Sequence, residues 1–185
     1  MKTILTTTVF LFFGMAVFSQ NLLVTTNTSF KEGTSGWEHG VTSIGDTVPV
    51  ADFELVDSGQ DDDKALQVKV KVPGDKQFPN QVYLKTSGIK LKKKKKYRLQ
   101  FYVKSTEYAD KVSVTLASGS VENLAILETR EIKYKGDDQW IKVSFTFLCK
   151  PGVKSVDYKD LSLYLGFNSR FGKFYVDNFQ ILPMK

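Results

Sequence analysis

Few residues in this chain are equipped for covalent or metal chemistry. There is one cysteine, Cys149, and one histidine, His39. That inventory excludes an intrachain disulfide and a zinc site built from several thiolates or imidazoles, and it leaves His39 as the only possible base for a catalytic triad. His39 stands beside Trp37 in a glycine-rich stretch and reads as a surface residue, while Cys149 ends an apolar run and reads as a small core residue or a free thiol. Glycoside hydrolysis needs two carboxylates facing each other across a cleft. The acids here sit mostly in loop-like clusters, Asp61-Asp62-Asp63 and Asp137-Asp138, and Glu107, Glu122 and Glu128 are isolated. A hydrolase is therefore the weakest of three readings. What the chain has in quantity is recognition chemistry: 8 tyrosines, with glutamines, asparagines and arginines as hydrogen-bonding neighbours.

Strands must position these groups. Leu66, Val68, Val70 and Val72 alternate with polar residues, as do Tyr97, Leu99, Phe101 and Val103, and the period of two recurs at Val112–Leu116, Ile141–Phe147 and Leu161–Phe167. Weaker strands are readable near Phe53–Val56, Val82–Leu84 and Ala125–Ile132. Turn clusters such as Pro73-Gly74-Asp75, Gly136-Asp137-Asp138 and Pro151-Gly152 separate them, and no segment keeps a helical apolar spacing. With 185 residues, 42% of them apolar, one domain is expected. About ten short antiparallel strands fold as an all-β, two-sheet sandwich of jelly-roll type.

The first residues read differently. Lys2 precedes an apolar run from Val9 to Phe18, and Val17-Phe18-Ser19 approaches a cut before Gln20, so residues 1–19 have the layout of an export signal and residues 20–185 form the domain. The run is shorter than the roughly 20 residues of a bilayer span, so the expectation is a secreted chain with no membrane span. The formal charge is +6, and once Lys2 is removed the five lysines Lys92–Lys96 equal the whole remaining surplus. A nucleic-acid surface spreads its basic residues over a face or interleaves them with aromatics. This run lies between two apolar-patterned segments, where a solvated hairpin turn belongs, and no nucleic-acid partner is expected.

Six motifs together resemble a known family. Asn27-Thr28-Ser29-Phe30-Lys31-Glu32-Gly33 followed by Gly36-Trp37, then Lys64-Ala65-Leu66-Gln67-Val68, then Gln81 with Ile89-Lys90-Leu91 and Tyr97–Ser105, are similar to the opening half of carbohydrate-binding modules of the family 4, 9 and 22 type. Asp138-Gln139-Trp140 ahead of Val143–Phe147, and Phe174-Tyr175-Val176-Asp177-Asn178-Phe179, resemble that family's closing half. The resemblance implies a galactose-binding-like jelly roll, a noncatalytic role in binding a polysaccharide or oligosaccharide on a concave sheet face, and glycan-degrading enzymes as partners in trans. It also implies a structural calcium near the meeting of the first and last strands, with Glu32 and Asp177 as acidic ligands and carbonyls near Phe30 and Lys64 completing the shell. Both tryptophans, Trp37 and Trp140, fall at positions that read as packing rather than groove floor. The alternative is an extracellular structural or protein-binding sandwich without sugar affinity, since a fold of this kind does not by itself fix function.

Strand parity places the ligand face. If Tyr97, Leu99, Phe101 and Val103 face the core, then Arg98, Gln100 and Tyr102 face the other way, because a one-residue slip would bury Arg98. The same argument turns Tyr164 away from Leu163 and Leu165, and Tyr83, with Gln81 at matching parity, away from Val82 and Leu84. Placed in one sheet, as the family order implies, these six residues would converge on one groove, with Tyr102 at its centre.

Overall fold

The computed structural model describes residues 20–23, 27–43, 46–61, 63–74, 81–106, 111–119, 124–135, 137–150, 156–167 and 171–185. The expected export signal at residues 1–19, and Asp62, Glu107 and Glu122, lie outside the described residues. Ten strands are described: β1 (Glu38–Val41), β2 (Val50–Val56), β3 (Ala65–Val72), β4 (Val82–Ile89), β5 (Lys96–Thr106), β6 (Lys111–Ser118), β7 (Ala125–Lys133), β8 (Ile141–Leu148), β9 (Leu161–Gly166) and β10 (Gly172–Pro183). They form two five-stranded antiparallel sheets, β1-β4-β9-β6-β7 in front and β2-β3-β10-β5-β8 behind. This is the expected all-β sandwich. Among the described residues no helix is long and apolar enough to cross a membrane.

The period-two pattern does the work of sorting faces. In β5, Tyr97, Leu99, Phe101 and Val103 are buried, whereas Arg98 is exposed and Gln100, Tyr102 and Lys104 are half-buried. Leu163 and Leu165 from β9 and Val114 and Leu116 from β6 close the same core from the front sheet. Removing such side chains from water at about 25 cal/mol per Å² is the main favourable term of the fold.

Sequence order explains how the core is sealed. In β10 the register shifts between Asp177 and Gln180, and Asn178 adopts a left-handed backbone with φ of 54°. This bulge aims Phe179 inward, where its ring lies 5.1 Å from Phe101, 4.7 Å from Trp37 and 6.3 Å from Phe30 between centroids. The opening motif folds around that ring. Phe30 is itself left-handed at φ 57°, Gly33 and Gly36 follow at 96° and 78°, and the Trp37 indole donates to the Asn27 carbonyl at 3.0 Å. The Phe179 amide donates to the Thr28 carbonyl at 3.0 Å, so loop and last strand are joined by backbone as well as by rings. Trp37 is 7% exposed, in the packing role expected of it.

His39 is exposed and stacks on Phe53 at 4.5 Å, and Cys149 is buried and free. Phe179→Ala should destabilise the protein by about 3–5 kcal/mol, the range for a truncated core aromatic. Urea denaturation measures this, and a loss below about 1 kcal/mol would show that the rings do not hold the N-terminal loop.

Candidate functional site

The six residues expected in one groove divide between the two sheets. Arg98, Gln100 and Tyr102 lie on β5 in the back sheet, and Tyr83 and Tyr164 lie on β4 and β9 in the front sheet, so the core separates them. Within β5 the alternation of buried and outward side chains holds. The convergence is corrected by strand order, which alternation along a single strand does not encode. Gln81 stands just ahead of β4 and is 1% exposed; a side chain at Gly74 would collide with its amide, so Gln81 packs under that turn.

On the back sheet the outward side chains are largely occupied by one another. Gln100 Nε2 donates to Gln180 Oε1 at 2.7 Å, and the Lys142 ammonium sits 5.8 Å from the Tyr102 ring centroid. Lys104 lies between Tyr175 at 4.6 Å and Trp140 at 5.5 Å and reaches Asp138 at 3.6 Å. Trp140 thus braces a lysine at the sheet surface.

The front sheet carries a different surface. Antiparallel register puts Tyr164 of β9 opposite Lys85 of β4 on one side and Thr115 of β6 on the other. Tyr164 is excluded from the apolar core cluster that holds Leu163 and Leu165, so it belongs to the outer face, yet it is only 2% exposed. A ring this shielded is a floor rather than a stacking surface. Over it lies the Lys85 ammonium, 5.8 Å from the centroid and 3.1 Å from Glu38 Oε2. Burial lowers the pKa of Lys85, but the Glu38 hydrogen bond and nearby charges prevail and leave it raised. Burial raises the Tyr164 phenol. Hydroxyls fill the rest of the face: Thr115 and Thr129 meet at 3.1 Å, Ser87 and Ser162 at 3.0 Å, and Tyr83 stands half-buried beside Gly40. Such a surface offers the exposed hydroxyls of Ser87 and Thr129, the cation–carboxylate pairs Lys85–Glu38 and Lys111–Glu131, and the half-buried ring of Tyr83. It suits a neutral, hydroxyl-rich ligand.

The two expected metal ligands differ in their surroundings. Glu32 is exposed, whereas Asp177 is fully buried at the β10 bulge. Asp177 accepts from the amides of Gln60 at 2.9 Å and Asn178 at 2.7 Å. The carboxylates near it are Asp63 and Asp61, from the loop between β2 and β3. Lys31, one residue before Glu32, is exposed and places its ammonium 2.9 Å from Asp63 Oδ2, while among the described residues Asp63 Oδ1 is buried without a hydrogen-bond partner. Among the described residues no three His, Cys, Asp or Glu side chains form a ready-made metal centre. Parity could have flagged Asp61 and Asp63 only if the loop's return to β10 had been known.

A two-sheet sandwich of this kind hosts many binding roles, and its class is set by comparison with known proteins. The family model described as "Carbohydrate binding domain" matches residues 23–167, and the chain belongs to that family. Solved structures share the fold at low identity. One, titled "CBM4 structure and function", aligns with a TM-score of 0.59 at 15% identity over 80% of this chain and 86% of its own. The CBM22-1 xylan-binding domain from Paenibacillus barcinonensis Xyn10C aligns at 0.53 and 18% identity over 85% of this chain and 92% of its own. TmCBM61 in complex with β-1,4-galactotriose aligns at 0.56 and 16% identity over 90% of this chain and 100% of its own. No curated protein sequence matches the chain significantly.

The Asp177 carboxyl generates a pH prediction. Burial, against the pull of the Gln60 and Asn178 amides, pushes its pKa from 3.8 up to about 6. The folded state then holds this proton to higher pH than the unfolded state does. Its contribution is full below 3.8 and is lost as pH rises through about 6. Urea midpoints across that window should fall less steeply for Asp177→Asn than for the parent chain, and parallel profiles would refute the assignment.

Proposed function

We propose that this chain is an exported, noncatalytic module that binds a polysaccharide or oligosaccharide on the outer face of the front sheet. The carrying observation is the row Tyr83, Lys85, Tyr164 and Thr115, which points away from the core on adjacent strands β4, β9 and β6. Family membership supports the ligand class. Tyr83 supplies the stacking ring, Lys85 and Glu38 supply a charged donor and acceptor for sugar hydroxyls, and the Tyr164 ring fixes the position of the ammonium. Catalysis finds no support on this face, because Glu38 is exposed and paired with Lys85, and the other acid beside the hydroxyl ladder, Glu131, is bound to Lys111 at 2.8 Å. A module of this kind would concentrate glycan-degrading enzymes' substrate in trans.

Affinity gels containing xylan, β-1,4-galactan, β-glucan or mannan test the reading. Tyr83→Ala and Lys85→Ala should each weaken retention on the preferred polymer by about tenfold or more, while Tyr102→Ala on the back sheet should not. Retention lost in Tyr102→Ala and kept in the front-sheet variants would move the groove to the other sheet. No retention on any polymer would favour the structural alternative.

The reading includes a structural calcium at the clasp between the N-terminal loop and β10. The orphaned Asp63 Oδ1 beside Asp177 and Asp61 is the feature that fits a hard cation, and these aspartates rather than Glu32 would hold it. Bound there, calcium would neutralise the carboxylates that Lys31 now faces alone. Its readdition after chelation should raise the melting temperature by mass action on the folded state. An unchanged melting curve removes calcium from the proposal and leaves the Lys31 ammonium as the site's cation.

A further inference from the structure

The lysine run takes no part in the front-sheet face, and the fold gives it a defined shape. Lys94 adopts a left-handed backbone at φ 64°, a cost for a residue with a side chain. Its amide donates to the Cys149 carbonyl at 2.7 Å, the Cys149 amide returns to the Lys95 carbonyl at 3.0 Å, and the Lys92 amide donates to the Tyr97 hydroxyl at 2.8 Å. The turn is therefore pinned at both ends rather than merely solvated. All five side chains are exposed, and among the described residues neither they nor Lys90 forms an ion pair. Like charges held this close without acids destabilise the folded state.

Beside the turn is a cavity of about 300 Å³. Its floor is apolar, made by Leu22 near the start of the domain, Tyr97 of β5, and Pro183 and Met184 at its end. Its rim is basic, made by Lys90, Lys92 and Lys95. The other lysines of the run are not part of it, and Lys93 leans 5.1 Å over the Tyr158 ring instead. A cavity at the small end of the ligand range, about 300–1,000 Å³, holds one ring rather than a length of polymer.

We propose that this cavity is a second binding site, distinct from the front sheet, for a uronate unit of an acidic glycan. The C–H face of the sugar ring rests on the apolar floor, and its carboxylate lies among the three rim ammonium groups, which give charge-assisted hydrogen bonds. Two competing occupants fit less well. Single-stranded nucleic acid binds by stacking on exposed rings, and the aromatic residues here, Tyr97 and Tyr158, are 3% and 5% exposed. A bilayer surface favours large apolar side chains that project among the basic ones and can insert, whereas here Tyr97 is buried and Leu22 and Met184 are half-buried.

The test is titration calorimetry with trigalacturonate, its methyl ester and neutral galactotriose, on the full domain at low and physiological salt. Binding is expected for trigalacturonate alone, weakening with salt as ion pairs are screened. Lys90→Ser, Lys92→Ser and Lys95→Ser together should weaken it at least about tenfold, while Lys93→Ser, Lys94→Ser and Lys96→Ser together, removing the same charge, should weaken it less than about threefold. Melting temperatures should stay near that of the parent, since all six residues are exposed. Met184→Glu, which keeps every lysine and puts a carboxylate in the floor, should also abolish binding, and Tyr83→Ala should leave it unchanged. The proposal is overturned by absence of trigalacturonate binding, by equal affinity for the methyl ester, or by equal losses in the two triple variants. Tighter binding of duplex DNA or phosphatidylserine vesicles through the same rim lysines would equally overturn it in favour of those partners.

Discussion

The structure depends on one aromatic contact, that of Phe179 with Trp37, Phe30 and Phe101. Phe179 faces inward only because β10 bulges after Asp177, and the bulge exists only because Asn178 accepts a left-handed backbone. The N-terminal loop has little regular structure of its own, yet it presents two large rings that are 0% and 7% exposed. Without the Phe179 ring as their shared partner, the left-handed conformation of Phe30 would be an uncompensated strain. The same bulge buries Asp177 under the Gln60 amide, so the charged clasp and the apolar cluster arise from a single irregularity in the last strand.

The two outer faces then diverge for a reason visible in the strands. On the back sheet, long side chains satisfy one another: amide to amide at Gln100 and Gln180, ammonium over ring at Lys142 and Tyr102. On the front sheet, β6 and β9 carry the short side chains of Ser113, Thr115, Ala117 and Ser162, of which Thr115, Ala117 and Ser162 are buried beside Tyr164. The exposed hydroxyls are those of their partners, Ser87 on β4 and Thr129 on β7, and the longer Tyr83 and Lys85 stand beside Ser87 on β4. Recognition of a hydroxylated ligand is the chemistry that such a surface permits.

Alternation in the sequence carried the strands and the facing of β5, β6 and β9, because burial of one face imposes a period of two. It did not carry β1, whose four residues Glu38–Val41 are mostly exposed and pair only with the edge of β4. Nor did it carry the division of strands between sheets. Which sheet β5 joins is decided by pairing with β10 and β8, partners that lie far along the chain, and no local pattern records that choice. The motif residues point to Asp177 and the N-terminal loop, but the ion pair from that loop runs from Lys31 to Asp63, a residue of the β2–β3 loop that no strand pattern marks.

Cys149 is buried, and its backbone holds the lysine turn through the Lys94 amide and the Lys95 carbonyl. Burial pushes its thiol up to about 11, so almost no thiolate exists at neutral pH and the sulfur is inert while the turn is closed. It becomes reactive only when its side chain is exposed to water. As the chain's single sulfhydryl, it converts any opening of that corner into a countable chemical event. The alkylation rate of the native protein is thus an intrinsic clock for how often the sandwich unlatches at its basic end, independent of global unfolding.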